Sequence, residues 1–188
     1  MSNEEGSELD GHKKINPRIT PPKEDVFMGL IYMTAVLSKD PVTQQCALLV
    51  DSKDRWVSYG VNYIPKPEHG QQGYKWDEEG REVAMVPADV AAIDRGNKLY
   101  VPGVSYTDAF TSHTLYITSP PSLAGVQSAM RNGLKKFIYG KEIPGYFSEA
   151  EWERTQLLAK NYRIELIAFK GNLGWVADRV MSLSNLFM

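Results

Sequence analysis

Cysteine is almost missing from this sequence. Cys46 stands alone among 188 residues, which excludes an internal disulfide and any metal centre built from several thiolates. Histidine is scarce as well, with only His12, His69 and His113, so borderline-soft metal donors are few. Neither sign of charge dominates: 21 Lys and Arg against 23 Asp and Glu leave a formal net charge of -2. Without a basic excess, no long-range attraction to a nucleic-acid backbone is built in. Long apolar runs are missing too, and the opening MSNEEGSELD has neither the basic nor the apolar stretch of a secretory leader, so neither a membrane span nor export is predicted. These absences leave a cytoplasmic protein whose partner is a small nucleotide or another protein.

The chain is long enough for one globular domain with a sizeable core. Residues 1–22 are charged and end in a Pro-rich run, which predicts a mobile arm, with the domain occupying 23–188. From Glu24 to Leu37 the residues Val26, Phe27, Leu30, Ile31, Met33, Val36 and Leu37 are apolar on nearly every side of a helix, the pattern of a helix buried in a core. Glu24 and Asp25 fall in its first turn and Asp40-Pro41 stops it, because a residue before proline avoids the helical region. Residues 46–62 read as an antiparallel hairpin turning at Asp51-Ser52-Lys53-Asp54, with Leu48, Val50, Trp56 and Val57 as strand formers. Between Pro65 and Glu82 the composition turns to Pro, Gly, Gln and charge, which predicts a long surface loop.

Beyond that loop, helix and strand signals alternate. Residues 87–97 suit a helix, 112–118 a strand, 122–133 a helix stopped by Gly133, and 135–140 a strand. Ser148 with Glu151 three residues on marks the start of another helix, and residues 163–169 suit a last strand. Such alternation implies right-handed crossovers and parallel pairing, added to the antiparallel hairpin. The prediction is a three-layer α/β/α domain with a mixed five-stranded sheet. The apolar residues of the 172–188 segment, among them Leu173, Trp175, Val176, Val180, Leu183 and Phe187, suggest a terminal helix.

From about Asp25 to Phe169 the residues carry a resemblance. Ser38-Lys39-Asp40-Pro41-Val42-Thr43-Gln44, Gly60-Val61-Asn62-Tyr63-Ile64-Pro65 and the segment 132–139 resemble three stretches of the deoxycytidylate deaminase branch of the cytidine deaminase superfamily. Pro87-Ala88-Asp89 stands where that family has His-Ala-Glu, and Pro121-Ser122-Leu123-Ala124-Gly125 where it has Pro-Cys-x-x-Cys. The resemblance implies a cytidine deaminase-like fold, oligomers with active sites near subunit contacts, and a zinc ion held by one His and two Cys whose hydroxide attacks the pyrimidine. It implies Asn62, Ala88, Asp89 and Tyr116 as the positions where a nucleotide would be contacted, Asn62 at its sugar.

The departures fall on the chemistry itself. Pro87, Ser122 and Gly125 offer no imidazole and no thiolate, and Asp89 is one methylene shorter than the glutamate that would shuttle protons. Neither a catalytic residue, a metal nor a cofactor is therefore expected. Asp89 is expected as an exposed charge at a helix start, Ser122 as a cap, and apolar side chains as the filling of the vanished metal site. Three readings stay open. The first is a pseudoenzyme that works by association, as a homo-oligomer or beside a related active deaminase. The second is a sensor or sequestering protein for a pyrimidine nucleotide. The third is a metal-free enzyme built on Asp89, Ser122 and His113.

Overall fold

The computed structural model describes residues 20–67, 73–99, 109–141 and 148–176. Most of the expected N-terminal arm, together with His12, His69 and residues 177–188, lies outside them. The hairpin forms where expected, β1 (Cys46–Val50) against β2 (Trp56–Val61), with Asp54 in the left-handed region at φ 60° closing the turn. Next to β1 on its other side runs β3 (Thr114–Ile117), antiparallel to it, followed by β4 (Lys136–Tyr139) and β5 (Glu165–Ala168) in parallel. The order β2-β1-β3-β4-β5 is the mixed five-stranded sheet predicted from the alternation of elements.

Period-two patterning sorts the central strands into two faces. Ala47, Leu49, Leu115, Ile117 and Phe137 point to one core, which α3 (Ala88–Leu99), α4 (Leu123–Arg131) and α5 (Glu149–Asn161) close with Ala92, Ile93, Val126, Ala129 and Ala159. Cys46, Leu48, Val50, Tyr116 and Ile138 point the other way, onto Met28, Ile31 and Ala35 from α1 (Lys23–Thr34) and the 3-10 turn Ala35–Leu37 that extends it. Three layers result. At Gly60 a Cβ would lie 2.7 Å from that of Ala91 and closer still to the α3 backbone, so a glycine there lets helix and strand approach.

Two expectations are corrected. The helix at 24–37 is not buried all round: Met33, Val36 and Leu37 are 47%, 66% and 60% exposed, because only one side of α1 meets the sheet. The stretch 65–82 is not loop throughout, since α2 (Glu78–Ala84) starts inside it. Asp77 caps that helix by accepting from the Gly80 N–H at 2.9 Å, with Glu78 and Glu79 in the first turn. Two other stops and starts are where the sequence put them. Gly133, at φ 74°, ends the α4 region, and Ser148 Oγ accepts from the Glu151 N–H at the start of α5.

Candidate functional site

The N-termini of α3 and α4 converge on one carboxylate. Asp89, in the first turn of α3, has no solvent exposure. Its Oδ2 accepts from the Ser122 N–H at 2.8 Å, and the Ser122 hydroxyl lies 3.0 Å from both carboxylate oxygens, donating to them. Ser122 Oγ in turn accepts from the Gly125 N–H at 2.8 Å, which makes Ser122 the N-cap of α4. Asp89 Oδ1 also takes the Val90 N–H at 2.9 Å. The carboxylate thus sits at the positive ends of two helices with its lone pairs used. Burial nonetheless pushes its pKa up to about 6, against the pull of the Ser122 and Val90 donors.

Gly125 shows why the carboxylate fits. A Cβ built there would lie 2.7 Å from Asp89 Oδ1 and nearer still to Oδ2 and Cγ. The space that a side chain at 125 would enter is filled by the carboxyl group. This corrects two expectations: Asp89 is buried rather than exposed, and the filling is polar rather than apolar, because the α4 N–H and hydroxyl donors need an acceptor inside the protein. Ser122 as a helix cap is what the sequence led us to expect.

The positions at which the resemblance places zinc ligands do not suit the ion. Pro87 has only its carbonyl, which accepts the Ala91 N–H at 3.0 Å in the first turn of α3. The hydroxyl of Ser122 is tied to Asp89, and Gly125 has no side chain to offer. Among the described residues no three of His, Cys, Asp and Glu stand close enough to hold a metal.

The remaining candidates do not gather around Asp89. Ala88 is buried beside it in α3. Tyr116 faces the opposite layer, its ring 5.1 Å from that of Phe27. Asn62 is fully buried and spends its amide on the protein: Nδ2 donates to Asp40 Oδ2 at 2.8 Å and to the Thr43 carbonyl at 2.7 Å, while Oδ1 accepts the Gln45 N–H at 3.0 Å. Asp40 completes this cluster by accepting from Thr43 Oγ1 and by pairing with Arg81 of α2 at 3.1 Å. Sequence reasoning missed Arg81, which lies in the stretch taken for loop. His113 precedes β3 and Ser122 follows it, so roughly 13 Å of strand separates them. Burial lowers the pKa of His113, partly offset by the charge of Asp51. Cavities of about 420 and 370 Å³ are lined by residues such as Tyr63, Asp94 and Lys98, and by Tyr74, Asp77 and Glu79. Asp89 borders neither of them.

Over 99 residues the chain is 33% identical to the probable deoxycytidylate deaminase of Drosophila melanogaster, a match covering 46% of this chain and 48% of that protein. The chain thus spans about half the length of this curated relative. No family model matches. In three dimensions it is similar to the dCMP deaminase of cyanophage S-TIM5 in complex with dCMP and dUMP, at a TM-score of 0.60 and 16% identity, covering 81% of this chain and 100% of that one. The apo form of that enzyme gives 0.55 at 15% identity over 80% of this chain. At such identities the likeness is one of fold.

Proposed function

We propose that this chain, which carries the fold of the cytidine/deoxycytidylate deaminase superfamily, does not deaminate and acts by association, with copies of itself or with a related active deaminase. One observation carries the reading: the Asp89 carboxylate occupies the space of the side chain that Gly125 lacks, with its oxygens held by Ser122. A group placed to shuttle protons in such an enzyme must reach a reacting atom. Here it is turned inward and serves as a hydrogen-bonded tie between two helix starts. Sequestration of a pyrimidine nucleotide gains no support from Asn62, whose amide is already occupied within the fold.

Association is supported by the open flank of β2. Trp56, Tyr59 and Leu99 are exposed there, and with Arg95 and Lys98 they border an apolar cavity of about 590 Å³. Trp56 and Tyr59 meet edge to face at 6.0 Å, and the Arg95 guanidinium lies 5.5 Å over the Tyr59 ring. Aromatic groups buttressed by an arginine are the side chains that interfaces favour.

Two measurements test the proposal. The purified chain, supplied with zinc and dCMP, should release no ammonia and retain no stoichiometric metal; steady turnover would sink the silent-site reading. In sedimentation, the wild-type chain should run above the monomer mass, with or without an added deaminase. Trp56→Glu should shift the complex toward monomer by a severalfold weakening of association. Equal masses for both variants would remove the β2 flank as the contact.

A further inference from the structure

Residues 73–85 fold onto themselves more than onto the sheet. Within α2 only Gly80 is buried, and Val83 is 63% exposed. A Cβ on Gly80 would run into the Lys75 carbonyl, and Asp77 caps the same turn, so the helix packs against the segment that leads into it. Gly73, at the other end of that segment, lies against the Pro67 ring. A unit of this kind buries too little apolar surface for packing alone to hold it down.

What ties it to the domain is mostly polar. At its end, Val86 exchanges two backbone hydrogen bonds with Tyr63, at 2.8 and 3.1 Å. Met85, extended at ψ 127°, brings its sulfur to 3.7 Å from Asn62 Nδ2. From the middle of the helix Arg81 reaches down: its Nε lies 3.1 Å from Asp40 Oδ1, and its Nη2 3.5 Å from Oδ2 and 3.2 Å from Thr43 Oγ1.

The two sides of that ion pair are unlike. The Asp40 side chain has no solvent exposure, whereas that of Arg81 keeps 25%. Val42, Thr43 and Asn62 also donate to Asp40, but these donors are neutral. Among the described residues Arg81 alone brings Asp40 a countercharge. A buried carboxylate deprived of its cation is costly, so it is the seating of α2 that keeps the charge compensated. Release of Arg81 must instead let water reach Asp40. The segment thus has two arrangements in which no charge is stranded: seated with Arg81 on Asp40, or lifted with both hydrated. When seated, α2 and Met85 roof the cluster of Asp40, Thr43 and Asn62.

We propose that residues 73–85 are a strap latched by Arg81 on Asp40, which lifts about Val86 while the sheet stays folded and so uncovers Asp40 and Asn62. The proposal goes beyond the silent-site reading and does not depend on it. Its consequence is that access to Asn62 is governed by one ion pair on a short surface helix.

Native-state hydrogen exchange on the full wild-type chain should separate strap from sheet. The Arg81 and Val86 amides, bonded to the Asp77 and Tyr63 carbonyls, should exchange about tenfold or more faster than those of β1, with little acceleration by low urea. Arg81→Gln should then speed the peroxide oxidation of Met85 severalfold and leave Met28, fully buried between α1 and the sheet, as slow as before. Exchange of the strap and β1 amides at one rate with one urea dependence would overturn the proposal, since α2 would then open only with the whole domain. Met85 and Met28 accelerating together would overturn it in the same way. An unchanged Met85 in Arg81→Gln would remove Arg81 as the latch.

Discussion

Gly125→Ala is expected to destabilise the fold by about 3 kcal/mol, the upper range for overpacking a close-packed site. An exposed helical glycine would give the opposite sign, since alanine stabilises a helix by about 1 kcal/mol relative to glycine. The reversal follows from the carboxylate: the added methyl would stand 2.7 Å from Asp89 Oδ1 and closer to Oδ2, and Asp89 cannot retreat while Ser122 holds it. Asp89→Ala in the same chain should recover much of the loss, because it vacates the space that the new methyl needs. Chemical denaturation of the two single variants and the double variant gives the coupling directly. Additive effects would mean that residues 89 and 125 do not share the space, and the silent-site reading would lose its main support.

Stability should fall between pH 4 and pH 7, and Asp89 should be the cause. Burial pushes its carboxyl up to about 6 in the folded chain, from the ordinary 3.8 of a free aspartate. Between those values the folded state holds a proton that the unfolded state has released, so unfolding becomes easier as pH rises. The stabilisation is complete below about pH 4 and lost above about pH 6, and a shift of about two units corresponds to about 3 kcal/mol. His113, whose pKa burial lowers, works the other way below pH 6.5, and Asp51, held at about 2 by the Arg55 N–H and its neighbours, acts only in stronger acid. The diagnostic is therefore the difference between the wild-type chain and Asp89→Asn, which should lack the decline. Parallel curves for the two across this range would show that Asp89 is ionised as readily inside the fold as outside it.

Much of the fold was legible because its elements obey their own periods. The hairpin at 46–61, the parallel strands with their intervening helices, and the caps at Ser122 and Ser148 all follow from patterns within a few residues of one another. The errors share a cause of the opposite kind. An apolar pattern all round residues 24–37 says that a helix wants cover, but not how many neighbours reach it, and the sheet covers one side. The helix at 78–84 was hidden by the Pro, Gly and charge around it, although Asp77 followed by Glu78 and Glu79 was a start signal in plain sight.

At the site, the sequence alone shows that Pro87, Ser122 and Gly125 carry neither an imidazole nor a thiolate. The arrangement around them could not be read there, because the bond between Asp89 and Ser122 joins residues 33 apart. Only the fold brings them together. In retrospect, a shortened acid at 89 paired with a residue lacking any side chain at 125 was the trace: one recedes where the other makes room. The engagement of Asn62 was similarly out of reach, since its partners Asp40 and Thr43 come from the turn after α1 and Arg81 joins them from α2.

Arg95 carries a final consequence for β2, the border strand of the sheet. Asn62 donates to Gln45 across the ladder, and pairing alternates from there, so the carbonyl of Tyr59 opposite Leu48 points away from β1. That outward oxygen is taken by Arg95 Nη1 at 3.0 Å. A neighbouring molecule arriving on this flank finds a guanidinium where it would need an open acceptor, and cannot simply extend the ladder. At that point of the edge a contact falls to side chains rather than to the ladder.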